Sequence, residues 1–411
     1  MRVLSFGSCN IDYVYSVEHL VRAGESLISK GREVFSGGKG LNQSIAAARA
    51  GAKVYFAGCI GNDGQFLADV LSESGVDLTY VKRADEPNGH AIIQVDDNGE
   101  NSIFTYKGTN EAITEEYIDE VLAHFGEGDI LLMQNEISNV PYLIDKAFEK
   151  GLKIVFNPSP LNDELKKVNL SKVSYLILNE VEAKDISGKS EPDEFIGYVK
   201  KEYPSLKVVL TLGKNGCIYV DSDTELSHPA FVVKAVDSVG AGDTFAGYFA
   251  ALVSDNTDYA EILKLASAAS GIAVSRKGAA PSIPLISEVK EALKTLKVYD
   301  VKKRNNMNVE KIEEYIRENL ADATLEGLAD KIGYSRFYIG PWVRSVMNMS
   351  FSQLLKKRRC EYAAKLLKET DLSVQEIIEM TGYKNESFFR KIFKDAYGSV
   401  PFEYRKKKTD I

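Results

Sequence analysis

The amino-acid sequence predicts an α/β domain with an open, mostly parallel sheet flanked by helices, followed by an all-α domain. Three observations support this prediction. At 411 residues the chain is longer than one ordinary core accommodates. Short apolar, β-branched runs alternate with helix-like stretches over residues 1–297. Residues 309–411 are helical in pattern throughout.

The strands of the first domain are predicted from runs of apolar and β-branched residues. These runs lie at residues 3–6, 54–58, 130–133, 153–156, 175–178, 208–212 and 217–220. Several of them end in Gly, Asn or Pro, so polar residues gather at one edge of the sheet. Ligands of open parallel sheets bind at that carboxyl edge. Two alternating runs, 91–95 and 102–106, are joined by turn-forming residues and predict a hairpin that forms a small β flap, or lid.

Composition restricts the class of protein. With 44% hydrophobic and 27% charged residues, the chain has the composition of a soluble globular protein. No apolar run approaches the ~20 residues that span a bilayer, and the N-terminus lacks the pattern of a signal peptide. The four cysteines and four histidines are dispersed, which argues against a zinc site or a disulfide framework. We therefore expect a cytoplasmic protein with no membrane association.

A polar, basic stretch at residues 298–308 follows a helix expected to end near Val298, and it indicates a linker. The residues before and after this linker differ in net charge. From Lys302 to the end there are 22 Lys and Arg residues against 16 Asp and Glu, a net charge of +6. The preceding residues carry 29 basic and 43 acidic side chains, a net charge of −14. A basic tail on an acidic body indicates a polyanionic partner for the tail, although a solvated surface gives the same balance.

The segment at residues 236–247, Val-Asp-Ser-Val-Gly-Ala-Gly-Asp-Thr-Phe-Ala-Gly, is the strongest indication of chemistry. Small residues at 240–242 let the backbone approach a ligand, and the apolar run after Asp243 begins a helix. Backbone N–H groups at that helix N-terminus would stabilise a transferring phosphate. Asp243 would then accept a proton from an attacking hydroxyl. On physical grounds alone, a glycine turn with an N-capping aspartate explains these residues equally well.

Two earlier motifs, taken with this segment, resemble the ribokinase (PfkB) family of carbohydrate kinases. Gly-Ser-Cys-Asn-Ile-Asp at 7–12 is similar to the family's first strand, and Ser-Gly-Gly-Lys-Gly-Leu-Asn-Gln at 36–43 to its N-terminal signature. The match extends in order over nearly all of residues 1–297. The resemblance implies a ribokinase-like fold, phosphorylation of a sugar hydroxyl by ATP, Mg²⁺ as cofactor and K⁺ as activator.

The resemblance also implies roles for individual residues. Asp243 would be the catalytic base, and the backbone amides of Gly240, Ala241 and Gly242 would form the anion hole. The sugar would be held by Asn10, Asp12, Gly38, Lys39, Asn42 and Glu136. The nucleotide and magnesium would be held by Asn179, Glu182, Thr211, Gly213 and Gly216. The potassium ion would be held by Asp237, Val239, Ala273, Arg276, Gly278 and Ser282.

The lid sequence bears on the substrate and on the assembly. Residues 99–101 and 108–112 resemble ribokinases more than fructokinases or nucleoside kinases, which implies D-ribose as substrate and ribose 5-phosphate as product. Another sugar is the alternative. Lids of this family often pair two subunits, so a homodimer is expected.

Residues 309–411 resemble the DNA-binding domain of the AraC family of transcription regulators. Two units repeat at a spacing of 49 residues, which indicates paired helix-turn-helix units. The repeating positions are Leu325, Leu328, Ala329, Gly333 and Tyr334 in the first unit, and Val374, Ile377, Ile378, Gly382 and Tyr383 in the second. In the second unit the expected DNA contacts are Lys384, Asn385, Glu386, Ser387 and Arg390.

Two further segments of this domain leave alternatives open. In the first unit, Gly340 and Pro341 fall within the expected recognition helix, where proline costs about 3 kcal/mol or more unless that helix starts later. DNA reading by both units is therefore in question. The basic run at residues 356–359 either contacts phosphates or forms a solvated face.

Three functions fit the sequence. The first is a sugar kinase whose fused DNA-binding domain regulates sugar-utilisation genes. The second is a transcription regulator that uses the kinase fold mainly as a sugar sensor. The third is a kinase whose helical domain serves only oligomerisation or protein binding. The presence of Asp243 favours activity, because a sensor does not need a catalytic base.

Overall fold

The computed structural model describes residues 2–189, 192–253, 258–298, 309–332, 336–347, 349–383 and 385–406. The chain packs as two compact units, and each is described by itself. The larger unit holds Met1–Gly188 and Gly197–Tyr299, and the smaller holds Lys189–Ile196 and Asp300–Ile411. Most of the linker expected at 298–308 lies outside the described residues.

Strands of the larger unit form two sheets. Their bounds are β1 Arg2–Phe6, β2 Asn10–Ser16, β3 Gly31–Gly37, β4 Lys53–Ile60, β5 Asp77–Arg83, β6 Gly89–Val95, β7 Asn101–Tyr106, β8 Ile130–Gln134, β9 Lys153–Asn157, β10 Tyr175–Asn179, β11 Lys207–Thr211, β12 Cys217–Val220 and β13 Glu225–His228. The main sheet has the order β13-β12-β11-β10-β9-β8-β1-β4-β5. It is parallel from β11 to β5, and β12 and β13 add an antiparallel edge.

Helices cover the main sheet. Those with bounds between residues 39 and 292 are α1 Lys39–Arg49, α2 Gln65–Glu73, α3 Glu115–Leu122, α4 Val140–Glu149, α5 Glu180–Ser187, α6 Pro192–Glu202, α7 Ala241–Leu252, α8 Tyr259–Val274 and α9 Ile286–Ala292. The central strand β8 is buried along its whole length, as expected for a parallel strand covered on both faces. The predicted fold class is confirmed, and each predicted strand matches an observed one to within two residues.

Two helices of the main core, α1 and α7, lie against each other. A Cβ at Gly247 of α7 would come within 2.4 Å of the Gln43 carbonyl oxygen and 2.5 Å of the Ala46 Cβ in α1. Only glycine permits this approach. The contact brings the N-terminal halves of both helices, which carry the polar motifs, to one place at the carboxyl edge of the sheet.

The lid is a separate sheet with the order β3-β2-β6-β7. Its strands β6 and β7 pair antiparallel from His90 opposite Tyr106 to Val95 opposite Asn101, which confirms the predicted hairpin. Every residue of the edge strand β7 is exposed, including the apolar Ile103 and Phe104. The lid therefore presents an apolar edge to its surroundings.

The smaller unit is helical in all its described parts after residue 308. Its helices are α10 Val309–Glu318, α11 Leu325–Ile332, α12 Arg336–Met347, α13 Phe351–Glu369, α14 Val374–Met380, α15 Glu386–Tyr397 and α16 Pro401–Lys406. They enclose two cores, and α13 contributes Leu354 to the first and Leu367 to the second. The pairs α11–α12 and α14–α15 confirm the predicted two-unit repeat, although Gly333 and Tyr334 lie outside the described residues.

One expectation about helix ends is wrong, and one alternative left open by the sequence is decided. The helix expected to end near Val298 ends at Ala292, because the chain then turns back and Val298 forms a β-bridge with Phe231. In the first helix-turn-helix unit, α12 does not start later than Pro341 but runs through it from Arg336. Ile339 and Val343, on either side of the proline, are fully buried.

All four cysteines are buried and free. Among the helices of the described ranges, none combines the length and the apolar character that crossing a membrane requires.

Candidate active site

The N-terminus of α7 forms the centre of the site. Its N-cap residue Gly240 has φ 74°, and a Cβ there would lie 2.9 Å from that of Ala279, so a side chain is excluded both by conformation and by space. Asp243 is the third residue of the helix rather than its cap, which corrects the alternative of an N-capping aspartate. Of the three amides expected to form an anion hole, the Ala241 N–H makes a long hydrogen bond of 3.3 Å to the Ser238 carbonyl oxygen.

Two amide side chains hold the Asp243 carboxylate. Asn42 Nδ2 donates to Oδ2 and Gln43 Nε2 donates to Oδ1, each at 3.0 Å. Gln43 Oε1 in turn accepts from Gln134 Nε2 at 2.8 Å, and both glutamines are fully buried. The carboxylate, itself only 8% exposed, is thereby fixed in orientation. Gln43 and Gln134 were not among the predicted site residues.

Lys39 and Glu136 face the same site from α1 and from the segment after β8. Glu136 Oε2 accepts hydrogen bonds from the Lys39 backbone N–H at 3.0 Å and from the Ser8 hydroxyl. Burial raises the pKa of Glu136, and the Lys39 charge opposes that rise. The pKa of Lys39 is raised by the negative charge of Asp243 and, to a smaller extent, by Glu136 and Glu182. The ammonium group thus lies among three carboxylates.

The lid supplies the remaining residues expected to hold the sugar. Asn10 and Asp12 lie on β2, and Gly38, with φ 91°, connects β3 to α1. Burial, followed by the charges of Glu136 and Asp243, raises the pKa of Asp12 to about 7. Asn10 Oδ1 accepts a hydrogen bond of 2.7 Å from Asn110 Nδ2.

Asn110 belongs to the segment 108–112 that resembles ribokinases, but it was not among the predicted site residues. It is 2% exposed, and its Oδ1 accepts from the Cys9 backbone N–H at 3.1 Å. The amide therefore fastens the start of β2, where Asn10 lies, to the segment that follows the hairpin.

Two cavities meet at the start of α7. The first, of about 240 Å³, is lined by residues from both sides of the site, among them Lys39, Asn179, Glu182 and Asp243. The second, of about 340 Å³, is lined among others by Gly213, Gly216 and Phe231. Both linings include Thr211, Ser238 and Gly242.

Asn179 and Glu182 also have a structural task, since they form the capping box of α5. Asn179 Oδ1 accepts from the Val181 N–H at 2.9 Å and the Glu182 N–H at 3.0 Å, and Glu182 Oε2 accepts from the Asn179 N–H at 2.9 Å. This capping orients the carboxylate of Glu182 toward the lining of the first cavity and uses only one of its two oxygens.

Asp237 joins two of the other residues expected to hold potassium. Its carboxylate accepts from the Val239 N–H at 3.0 Å and from the Gly278 N–H at 2.9 Å. Ser282 donates its hydroxyl to the Ala279 carbonyl at 2.7 Å. Ala273 lies in the last turn of α8, and Arg276 forms an ion pair with Glu288 at 2.7 Å. The segments that flank the anion hole are therefore held as one piece.

In the smaller unit, the predicted DNA contacts lie at the start of α15. Asn385 caps this helix by accepting from the Phe388 N–H at 2.9 Å, and Ser387 is exposed. Glu386 Oε1 accepts from Arg390 Nε at 2.8 Å and Nη2 at 2.6 Å. Phe389 and Phe393 are fully buried, as expected for core positions. Lys384 lies outside the described residues.

The two arginines of the basic run at 356–359 have partners within the unit. Arg358 pairs with Glu313 and with Glu361, and its hydrogen bonds to both carboxylates raise its pKa above the ordinary value. Arg359 donates to the backbone carbonyls of Leu320 at 2.9 Å and Ala321 at 2.7 Å. These arginines join α13 to α10 and to the turn that follows it, whereas Lys356 and Lys357 of the same run are exposed.

Comparison with known proteins gives two family matches. Residues 1–286 match the model of the pfkB family carbohydrate kinases, and residues 328–407 match a helix-turn-helix domain. A ribokinase from Haemophilus influenzae is 36% identical over 299 residues, which cover 70% of this chain and 96% of the relative. A ribokinase from Bacillus subtilis is 33% identical over 294 residues, which cover 70% of this chain and 97% of the relative. A deoxyribokinase from Salmonella typhi is 29% identical over 306 residues, which cover 71% of this chain and 99% of the relative.

Solved structures agree with these relatives. The ribokinase from Cryptococcus neoformans var. grubii in complex with ADP has a TM-score of 0.62 and 34% identity, over 71% of this chain and 99% of that one. The Arabidopsis thaliana ribokinase complexed with ribose and ATP has a TM-score of 0.63 and 28% identity, over 71% of this chain and 98% of that one. The signature segments, the sheet order with its lid and these matches agree: the chain belongs to the pfkB family of carbohydrate kinases and carries a C-terminal helix-turn-helix domain of the AraC type.

Proposed function

We propose that the kinase domain, residues 1–297, phosphorylates D-ribose to ribose 5-phosphate with ATP as donor. We propose further that residues 309–411 bind DNA and regulate sugar-utilisation genes. One observation carries the kinase proposal: Asp243 is a buried carboxylate at a helix N-terminus where two cavities meet. Ribokinases among the relatives favour ribose, and the deoxyribokinase makes 2-deoxyribose the alternative.

The sugar side of the site has the polar groups that a polyol requires. Asn10, Asp12, Asn42 and Glu136 supply acceptors and donors, and Lys39 supplies a charged donor. A buried donor or acceptor left unpaired costs about 1–3 kcal/mol. A sugar that matches these groups is therefore favoured over one that lacks a hydroxyl.

Proton transfer follows from how Asp243 is held. Asn42 and Gln43 each donate to one of its oxygens, which leaves the remaining lone pairs free to accept the proton of the attacking hydroxyl. The hydroxyl oxygen then bonds to the γ-phosphorus, and the bond from that phosphorus to the β-γ bridging oxygen breaks, releasing ADP. The backbone N–H group of Gly242 and the dipole of α7 stabilise the negative charge of the transferring group.

A magnesium ion fits the residues on the phosphate side. Glu182 keeps one carboxylate oxygen outside the capping box, beside Asn179 in the lining of the first cavity. Within the described residues, no group of three or more His, Cys, Asp or Glu side chains could hold a metal. Mg²⁺ in proteins often keeps several waters and binds substrate phosphates, so one carboxylate suffices. When bound, the ion neutralises phosphate charge, and Glu182 with Asn179 would hold its waters.

A potassium ion would be held by oxygen atoms of the segments that Asp237 joins. Those are the side chains of Asp237 and Ser282 and the carbonyl groups of Val239, Ala273, Arg276 and Gly278. Such an ion would fix the turn that precedes the anion hole. We also propose a homodimer through the exposed edge of the lid and a cytoplasmic location.

The kinase proposal is tested by measuring ADP release with a panel of pentoses and hexoses, with and without K⁺ and Mg²⁺. We expect ribose to have the highest kcat/KM and K⁺ to raise it. If the chain binds ribose by calorimetry but turns over no sugar, it is a sensor and the kinase proposal is wrong. If 2-deoxyribose gives the higher kcat/KM, the ribose assignment is wrong.

The DNA proposal needs its own measurement. Binding of the full chain to duplexes from the region upstream of its gene should weaken steeply with salt, since Lys and Arg neutralise phosphates. Absence of binding at low salt would favour the oligomerisation or protein-binding alternative for the helical domain.

A further inference from the structure

Arg49 lies in the last turn of α1, at the opposite end of this helix from Lys39. Its side chain is half-buried, and Nη1 donates to two backbone carbonyls, that of Ala280 at 3.1 Å and that of Ile283 at 2.6 Å. The first carbonyl begins the short 3₁₀ turn Ala280–Ser282, and the second follows it directly. One terminal nitrogen of the guanidinium group therefore holds both ends of this turn.

Other side chains hold neighbouring carbonyls of the segment 279–284. The Ser282 hydroxyl donates to the Ala279 carbonyl at 2.7 Å. The Tyr248 hydroxyl, which is supplied by α7, donates to the Pro284 carbonyl at 2.7 Å. Together with the guanidinium group from α1, side-chain donors on two helices hold this segment in one conformation.

The same segment supports the turn that begins α7. A Cβ placed on Gly240 would lie 2.9 Å from the Ala279 Cβ and 3.0 Å from its Cα, so the two residues are in direct contact. Just before Ala279, the Gly278 N–H donates to the Asp237 carboxylate at 2.9 Å. Because close-packed interiors transmit strain, a shift of residues 279–283 would displace the start of α7 and the backbone N–H groups there.

The partners of Arg49 indicate a role in orientation rather than in charge pairing. Within the described residues, the hydrogen bonds of its guanidinium group all end on neutral oxygens, the third being the Ser74 hydroxyl at 3.5 Å. Burial lowers the pKa of Arg49, and the carboxylate of Glu288, which opposes that effect, is bonded to Arg276. Partial burial of a cation costs desolvation energy. The rigid, planar guanidinium group is suited to fixing the two carbonyls in a defined geometry.

We propose that Arg49 is a positioning residue for phosphoryl transfer, because it fixes residues 279–283 and, through them, the turn at Gly240 that precedes the amides of the anion hole. The proposal rests on the kinase function proposed above. From Lys39 to Arg49, α1 extends about 15 Å at 1.5 Å per residue, so the guanidinium group acts through the backbone and not on the sugar. Its loss should therefore weaken binding of the transition state more than binding of either substrate.

The first experiment compares Arg49→Met with the unsubstituted full chain, using the sugar that has the highest kcat/KM. Methionine keeps an unbranched apolar side chain but has no N–H donors. A displacement of about 1 Å can cost about 10²-fold in rate, so we expect kcat to fall about 10- to 100-fold. KM for the sugar and for ATP should change less than about threefold. An unchanged kcat, or KM values that rise by as much as kcat falls, would overturn the proposal.

A binding measurement separates positioning from a loss of stability. ADP with Mg²⁺, the sugar and aluminium fluoride mimics the transferring phosphate group, and transition-state analogues bind more tightly than substrates. By calorimetry, aluminium fluoride should tighten ADP binding about 10- to 100-fold less in Arg49→Met than in the unsubstituted chain. The affinity for ADP alone should not change. Equal tightening in both proteins would show that Arg49 only stabilises the fold.

Two control variants accompany Arg49→Met. Ser74→Ala removes the third hydrogen bond of Arg49 without touching residues 279–283, so kcat should not change. Val121→Ala removes volume at a buried position of α3 and should lower the melting temperature but not kcat. If either control loses as much kcat as Arg49→Met, the proposal is wrong. An unsubstituted chain that turns over no sugar would refute the kinase function itself, and this proposal with it.

Discussion

The kinase domain and the helical domain use their charged side chains in opposite ways. Around the start of α7, Lys39, Glu182 and Asp243 are partly or fully buried and line space that a ligand would fill. In the helical domain, Arg358 and Arg390 are bonded to carboxylates of the same unit. The charged side chains of the kinase site are therefore arranged for a ligand. The two arginines of the helical domain hold its helices together. They become available to a partner molecule only when their ion pairs with the carboxylates break.

The largest effect is expected when the negative charge of Asp243 is removed from the kinase site. Asp243→Asn keeps the shape of the side chain but cannot accept the proton, so we expect kcat to fall about 10³-fold or more with a small change in KM for ribose. Steady-state kinetics and circular dichroism check the effect and the fold. Unchanged turnover would show that another group is the base.

A smaller loss is expected when the amide behind Asp243 is removed. Gln43→Met should lower kcat about 10- to 100-fold, because the carboxylate loses one of its two orienting donors. It should also reduce the free energy of unfolding by about 1–3 kcal/mol, since the buried Gln134 amide loses its acceptor. The matched control is Gln65→Met, the same change at an exposed position of α2. Equal effects in both variants would refute the positioning role.

The buried carboxyl group of Asp12 should make the stability of the kinase domain depend on pH. Its folded pKa of about 7 lies above that of an unfolded aspartate, so the folded chain holds a proton that the unfolded chain has released. The contribution of Asp12 to stability therefore falls as pH rises from about 4 to about 7. Relative to Asp12→Asn, the unsubstituted chain should lose melting temperature between pH 5 and pH 8. Asp69→Asn, the same substitution at an exposed position, is the control, and a flat difference for Asp12→Asn would contradict the raised pKa of Asp12.

The smallest effect is expected for DNA affinity after a substitution in α15. Glu386→Ala frees Arg390 and removes a negative charge from the helix N-terminus, so DNA affinity should rise two- to fivefold at low salt, by about 1 kcal/mol or less. Anisotropy titrations at several salt concentrations measure this. Glu369→Ala, at the end of α13, is the control with the same change of charge. Weaker binding by Glu386→Ala would instead support the DNA contact by Glu386 that the sequence predicts.

The sequence predicted what depends on local pattern. Buried parallel strands such as β8 appear as apolar runs, the lid appears as two alternating runs, and Asp243 stands out beside three small residues. The rest depends on contacts between distant parts of the chain. Gln43 and Gln134 are 91 residues apart, and a buried amide in a helix or strand has no pattern of its own. The end of α9 was misplaced for the same reason, because Phe231 determines where Val298 lies.

Helix α13 has a geometric consequence for the helical domain. It is 19 residues long, and at 1.5 Å per residue it forms a rod of about 28 Å that joins the two cores. One turn of B-DNA advances about 34 Å. A rod of this length would keep the two helix-turn-helix units on one side of a duplex. Each inserted residue would rotate one unit by about 100° relative to the other, so the length of α13 would determine the relative phase of two half-sites if both units bind DNA as proposed.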